Sequence, residues 1–164
     1  MQALLSLGSN LGDRVENLLR ACDKLQNYGE IQAIAPLYET SPMGEVVQDD
    51  FINTAVVLET ELAPAALLQE IHRIEEELRR VRDVHWGPRT IDIDIVDFEG
   101  FTSSTDELHI PHRQAKVRRF VLQPASDIAG NWMLGGESVT TLLECLNSDD
   151  EVRNFDDARW EVKG

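Results

Sequence analysis

The chain is predicted to be an α+β protein, a ferredoxin-like β-α-β-β-α-β sandwich with an antiparallel sheet and a C-terminal extension of short hairpin and helices. Three observations predict it. Two segments carry apolar residues at helical spacing, Val15, Leu18, Leu19, Cys22 and Leu25 in one and Leu67, Leu68, Ile71, Ile74, Leu78 and Val81 in the other. Four short runs rich in Val, Ile, Leu and Ala flank them. The order strand, helix, two strands, helix, strand is that of two helices packed on one sheet face.

Each element has its own signal. Gln2–Leu7 is a short apolar strand, and 8–12 (Gly-Ser-Asn-Leu-Gly) is a turn. Asp13 followed by Glu16 is a capping pair for the first helix. Ile31–Tyr38 is read as one strand, with Ala33 and Ala35 alternating against larger residues. Thr40–Asp50 is a loop holding Pro42 and Gly44, and Phe51–Leu58 is the next strand. Pro64 fits the first turn of the second helix. A second loop, Asp83–Thr90, leads into the strand Ile91–Phe98. Beyond it a hairpin is expected near Glu99–Ile110, a short helix around Val117–Gln123 and another around Val139–Leu146.

Composition narrows the class. With 164 residues and 42% hydrophobic content, the chain is expected to form a single domain over 1–164, of which 147–164 is an acidic tail. No apolar run reaches membrane-spanning length and the start lacks the pattern of a signal peptide, so a cytoplasmic protein without a membrane partner is expected; a monomer is the expectation for its assembly, although no residue pattern carries it. Cys22 and Cys145 are read as two reduced, buried thiols. The net charge of −15 argues against a nucleic-acid partner. That charge is uneven: residues 79–119 hold eight basic side chains against seven acidic ones. A basic cluster inside an acidic protein reads as a site for a small polyanion.

Chemistry concentrates in the same segment. Ile91-Asp92-Ile93-Asp94-Ile95 puts two aspartates on one strand face, about 7 Å apart. Adjacent carboxylates repel unless a cation sits between them, and hard oxygen ligands suit Mg²⁺ with substrate phosphates. By the same alternation Asp97 falls on the opposite face and is read as structural. His72, Glu75, Arg79 and Arg82 form a polar stripe on the second helix. For Arg79 a solvated helix face is preferred; Arg80 and Arg82 lead into the loop before the aspartates, where arginine clamps phosphates. His109 and His112 lack a third metal ligand at useful spacing and are read as phosphate or ribose contacts beside Arg113 and Arg118. Phe51 and Asn53 share a strand face, and Phe120 follows the basic segment; two rings and an amide suit a flat, nitrogen-rich ring, although spacing alone favours core packing for both rings. No P-loop sequence is present.

From about Leu4 to Leu146 the chain resembles the 6-hydroxymethyl-7,8-dihydropterin pyrophosphokinases. The resemblance is carried by Leu7-Gly8-Ser9-Asn10-Leu11-Gly12-Asp13, Tyr38-Glu39-Thr40-Ser41-Pro42-Met43-Gly44, Phe51-Ile52-Asn53, Arg80-Val81-Arg82 and Ile110-Pro111-His112. Its most specific part is Trp86-Gly87-Pro88-Arg89-Thr90-Ile91-Asp92-Ile93-Asp94. The resemblance implies transfer of pyrophosphate from ATP to the hydroxymethyl group of the pterin, releasing AMP, in folate biosynthesis. It implies two Mg²⁺ ions on Asp92 and Asp94, and a pterin held between Phe51 and Phe120. Asn53, the backbone at Thr40, Ser41 and Met43, and Trp86 would complete the pterin site. ATP would lie on His72, Glu75, Arg82, Arg89, Ile95, His109, His112 and Arg118. Arg80, Arg89 and Asp94 would act in catalysis, with 41–50 and 83–90 closing as lids. Phe51, His72, His85, Glu107 and Arg119 depart from the residues frequent at those places in the family.

Two other classes are compatible with such a fold. A ferredoxin-like pterin or nucleotide binder with weak catalysis has no need of Arg80, Arg89, Asp92 and Asp94 together. An RNA-binding module is disfavoured by the charge and by the lack of an aromatic R-G-F-type strand.

Overall fold

The computed structural model describes residues 1–41, 49–80, 90–148 and 150–164. Its centre is an antiparallel sheet of β1 (Gln2–Ser9), β2 (Glu30–Ile34), β3 (Leu37–Thr40), β4 (Phe51–Glu59), β5 (Asp92–Phe98) and β10 (Val152–Phe155). Its order is β10-β3-β4-β1-β5, and β2 also pairs with β4. Two two-stranded ribbons complete the strands: β6 (Ser103–Ser104) with β7 (His109–Ile110), and β8 (Met133–Leu134) with β9 (Glu137–Ser138). Among the described residues the α-helices are α1 (Arg14–Leu25), α2 (Pro64–Arg80), α3 (Arg119–Ala129) and α4 (Val139–Cys145). The protein is thus a mixed α/β fold around an antiparallel sheet.

α1 and α2 cover one sheet face, as their apolar stripes require. Val15, Leu18 and Leu25 of α1 and Leu67, Ile71, Ile74 and Leu78 of α2 join Ala3, Leu5, Leu7, Ile52, Val56, Leu58, Ile93 and Ile95 in one buried cluster. Asp13 caps α1 by accepting from the Glu16 N–H at 3.2 Å, while the Glu16 carboxylate accepts from Arg20. The opposite face belongs to the C-terminal extension. Val121, Leu122 and Ala125 of α3 and Val139 and Leu142 of α4 pack on Leu4, Ala33, Ala55, Val57 and Val96. The sheet therefore lies between two helical layers.

Several expectations change. The single strand expected over 31–38 is two strands, β2 and β3, parted at Ala35-Pro36. Pro36 has no N–H for the ladder and restricts the residue before it, although the Ala35 N–H still donates to Ala55 O at 2.9 Å. Gly8 and Ser9, read as turn, extend β1, and the left-handed residue of the turn is Gly12 at φ 67°. Asp97 lies on the Asp92 side of the sheet. A bulge at Val96 makes Leu5 pair with Ile95 and Leu4 with Asp97, so alternation skips one residue. There the carboxylate accepts from the Trp132 indole N–H at 2.7 Å. Of the two thiols only Cys22 is buried, its pKa pushed up to about 12 by burial; Cys145 is exposed.

The acidic tail contributes β10, which pairs with β3, and then packs back along the sheet. The Trp160 indole N–H donates to Ala35 O at 2.9 Å, and Lys163 exchanges backbone hydrogen bonds with Ile34.

Candidate active site

Strand register assembles the site. Gly8 of β1 pairs with Asn53 on one side and Asp92 on the other, and Ser6 pairs with Asp94. Directly paired residues point to the same face, so Ser6, Gly8, Phe51, Asn53, Asp92 and Asp94 share the α3 and α4 side. Gly8 is needed for its missing side chain: a Cβ there would stand 2.8 Å from Asn53 Oδ1. Asn53 is held by donating Nδ2–H to Thr40 Oγ1 at 2.8 Å, and both residues are buried. That leaves Oδ1 directed over Gly8.

Two cavities meet at the aspartates. One, of about 600 Å³, is lined by Gly8, Thr40, Ser41, Phe51, Asn53 and Phe120, together with Asp92, Asp94 and Arg118. The other, of about 770 Å³, is lined by His72, Glu75, Ile95, His109, His112 and Arg118, again with Asp92 and Asp94. Phe51, Asp92, Asp94 and Arg118 belong to both. The Arg118 guanidinium lies 5.6 Å from the centroid of the Phe120 ring, within cation–π range. Phe120 is only partly buried, and it packs beside the α3–α4 core as well as lining the cavity. α3, which carries it, is tied to the sheet by a hydrogen bond from Tyr38 Oη to Asp127.

The larger cavity is electrically mixed. Glu75, Asp92, Asp94, Asp106 and Glu107 face it together with Arg113, Arg118 and three histidines. Glu75 is pushed up to about 7, mainly by burial, with further upward push from Asp92 and Asp94; the Ile93 N–H it accepts at 3.2 Å opposes the shift. His109 Nδ1 lies 2.8 Å from Pro111 O, which can only accept, so Nδ1 carries the proton. His112 Nδ1 accepts from the Gln114 N–H at 3.2 Å, which leaves its Nε2 as the donor when the ring is neutral. Among the described residues no group of three or more His, Cys, Asp or Glu side chains is placed to hold a metal. Two adjacent carboxylates without a third fit Mg²⁺, which keeps waters and completes its shell with substrate phosphates. They do not fit a metal caged by protein alone.

The structure brings together Thr40, Ser41, Phe51, Asn53 and Phe120 in one cavity and His72, Glu75, Ile95, His109, His112 and Arg118 in the other. Arg79 lines neither, in keeping with a solvated helix face. Met43, Arg82, Trp86 and Arg89 lie outside the described residues, as do the side chain of Arg80 and most of both proposed lids. Arg119, one of the departures noted in the sequence, donates to Leu146 O at 3.1 Å and so ties α3 to the end of α4. Sequence reasoning missed Ser6 and Gly8, which it placed in a strand and a turn without a site role. It also missed Asp150, Glu151 and Val152 as lining residues. The only sequence signal for these three is a lone valine among acids.

Two cavities thus share a carboxylate pair, one of them holding two aromatic rings and a buried amide. The model of the 7,8-dihydro-6-hydroxymethylpterin-pyrophosphokinase (HPPK) family matches residues 4–130. A Methylorubrum extorquens protein named 2-amino-4-hydroxy-6-hydroxymethyldihydropteridine pyrophosphokinase is 43% identical over 148 residues, covering 89% of this chain and 94% of that one. The bifunctional protein FolKE of Lactococcus lactis is 43% identical over 129 residues, which are 77% of this chain and 37% of that protein. An HPPK-DHPS structure from Plasmodium falciparum shares the fold with a TM-score of 0.70 at 18% identity, covering 87% of this chain and 45% of that one. The chain belongs to the HPPK family and is a pyrophosphokinase of folate biosynthesis. Membership implies ATP as co-substrate.

Proposed function

We propose that the chain transfers pyrophosphate from ATP to the hydroxymethyl group of 6-hydroxymethyl-7,8-dihydropterin, with the pterin in the aromatic cavity and ATP in the charged one. The observation that carries this reading is the shared wall: Asp92 and Asp94 face both cavities. We read the strand order as the ferredoxin-like arrangement and residues 1–164 as one pyrophosphokinase domain, acting as a cytoplasmic monomer. Among the described residues no helix is long and apolar enough to cross a membrane.

In this reading Phe51 and Phe120 sandwich the pterin, and Asn53, fixed by Thr40, reads its edge. Ser41 and Met43 add backbone contacts and Trp86 covers the ring. His72, Glu75, Arg82, Ile95, His109, His112 and Arg118 hold ATP. Asp92 and Asp94 would hold two Mg²⁺ ions, which supply neutralisation of phosphate charge and acidify the attacking hydroxyl.

The hydroxyl oxygen bonds to the β-phosphorus as the bond from that phosphorus to the α–β bridging oxygen breaks, so AMP leaves with the electron pair. The hydroxyl proton passes to Asp94 or Asp92. Arg80 and Arg89 offset the charge that develops in transfer. Arg118, stacked on Phe120 and facing both cavities, couples the two substrates' positions.

The test is AMP release with pterin and ATP, with and without Mg²⁺. Release that needs all three supports the reading. AMP formed without pterin, or turnover unaffected by chelator, contradicts it.

A further inference from the structure

The family model ends at residue 130, yet the aromatic cavity is walled in part by residues 150–152. β10 pairs with β3 in the register Val152↔Thr40 and Arg153↔Glu39. Alternation therefore gives its residues different tasks. Val152 stands beside Thr40 on the cavity side, and both line the cavity. Arg153 and Phe155 point to the other face, where Phe155 packs against the α1–α2 core.

Arg153 bridges Glu39 of β3 and Asp50, the residue before β4. Its Nη2 lies 3.4 Å from Glu39 Oε1 and 2.9 Å from Asp50 Oδ2. Arg14 of α1 repeats the grip, donating to Glu39 Oε2 at 3.0 Å and to Asp50 O at 2.9 Å. The Arg14 guanidinium also sits 5.4 Å from the Phe155 ring centroid. All four charged side chains are a quarter to two-fifths exposed, so none is a fully solvated surface ion. Asp50 directly precedes Phe51, and Glu39 directly precedes Thr40. By holding Glu39 and Asp50, the two arginines set the positions of a hydroxyl and a ring that line the cavity.

We propose that β10 is a working wall of the acceptor pocket, with Val152 touching the bound ring and Arg153 acting as a positioning residue for it. The proposal rests on the assignment of the aromatic cavity to the pterin. ATP binding lies on the far side of the aspartates and does not involve β10.

The test is steady-state AMP release with independent variation of pterin and ATP, joined to fluorescence titration of the pterin and thermal melts. Arg153→Gln is expected to raise the pterin KM about tenfold while the ATP KM stays within about twofold. Arg153→Lys should recover part of that loss, because it keeps the charge but not the fork. Val152→Trp, which fills the cavity from its rim without touching the ion cluster, should weaken pterin binding at least as much. A pterin KM unchanged in Arg153→Gln and Val152→Trp overturns the proposal. So does a rise in both KM values in step with a fall in melting temperature, which would mark β10 as structural only. If Arg153→Gln does not fold, Val152→Trp alone decides. A wild-type protein that releases AMP but has wild-type-like β10 variants sinks this inference alone, whereas a wild type that binds no pterin sinks the assignment beneath it.

Discussion

The two faces of the central sheet are built from the same strands and differ sharply. On the α1–α2 face, β1 contributes Ala3, Leu5 and Leu7, β4 contributes Ile52, Val56 and Leu58, and β5 contributes Ile93 and Ile95. In these three strands that face is apolar apart from Ser9 and Thr54, which are buried and hydrogen-bonded to Asn17 and to Ala35 O. On the other face each strand changes character along its length. β1 runs Leu4, Ser6, Gly8; β4 runs Val57, Ala55, Asn53, Phe51; β5 runs Val96, Asp94, Asp92. The apolar ends lie under α3 and α4, and the polar ends are left as cavity walls. One face serves stability, and the other is divided between stability and chemistry. The site can hold like charges and an orphan-prone amide because the opposite face secures the sheet.

That comparison can be broken most severely at the aspartates. Asp94→Ala should lower kcat by about a thousandfold or more, since it removes both a metal-binding carboxylate and a candidate proton acceptor. Its melting temperature should stay within a few degrees of the wild type. An active Asp94→Ala enzyme would end the metal assignment, and an unfolded one would mean that the site face also carries the fold.

Next comes the apolar face. Leu5→Ala should destabilise the protein by about 2–5 kcal/mol in denaturant titration, because the surrounding core cannot close the space. Ser6→Ala, one residue on and facing the cavity, should change stability by less than about 1 kcal/mol. Equal losses would erase the distinction between faces.

Gly8→Ala tests the boundary between the two uses of one face. The new methyl meets Asn53 Oδ1 at 2.8 Å, so the amide must shift from its Thr40 partner. The pterin KM should rise about tenfold with a smaller change in kcat. A KM near the wild-type value would show that Asn53 does not read the ring.

The smallest effect is a pH dependence of the metal-free protein. Glu75 is raised to about 7, chiefly by burial. A carboxyl whose folded pKa is raised favours the folded state while protonated. That contribution is complete below the ordinary value of 4.5 and is lost as pH rises through about 7. Glu75→Gln should therefore melt higher than the wild type above pH 7, and the gap should close toward pH 4.5. A gap that does not vary with pH would mean Glu75 is not desolvated in the folded protein.

Much of this arrangement was legible in the sequence. The stripes of α1 and α2, the Asp13 cap, and Asp92 with Asp94 on one face are all set within single elements, where period 3.6 or 2 is enough. Phe51 and Asn53 sharing a face belongs to the same kind of inference. The bulge that turns Asp97 toward Trp132 was not legible, because a bulge shows only against a partner strand. Nor was the break at Ala35-Pro36 read, since the alternation of alanines continues across it.

The sequence by itself determined the class of fold, the carboxylate pair and, through the long motif around Trp86–Asp94, the family. The tertiary structure decided what surrounds that pair. It made Gly8 the floor beneath Asn53, and set two cavities on either side of Asp92 and Asp94. It also brought Arg153 to Glu39 across 114 residues of chain. The physical reason is range: periodicity and caps follow from neighbours a few residues apart, whereas strand register and the pairing of an acidic tail with β3 depend on contacts that exist only once the sheet has formed.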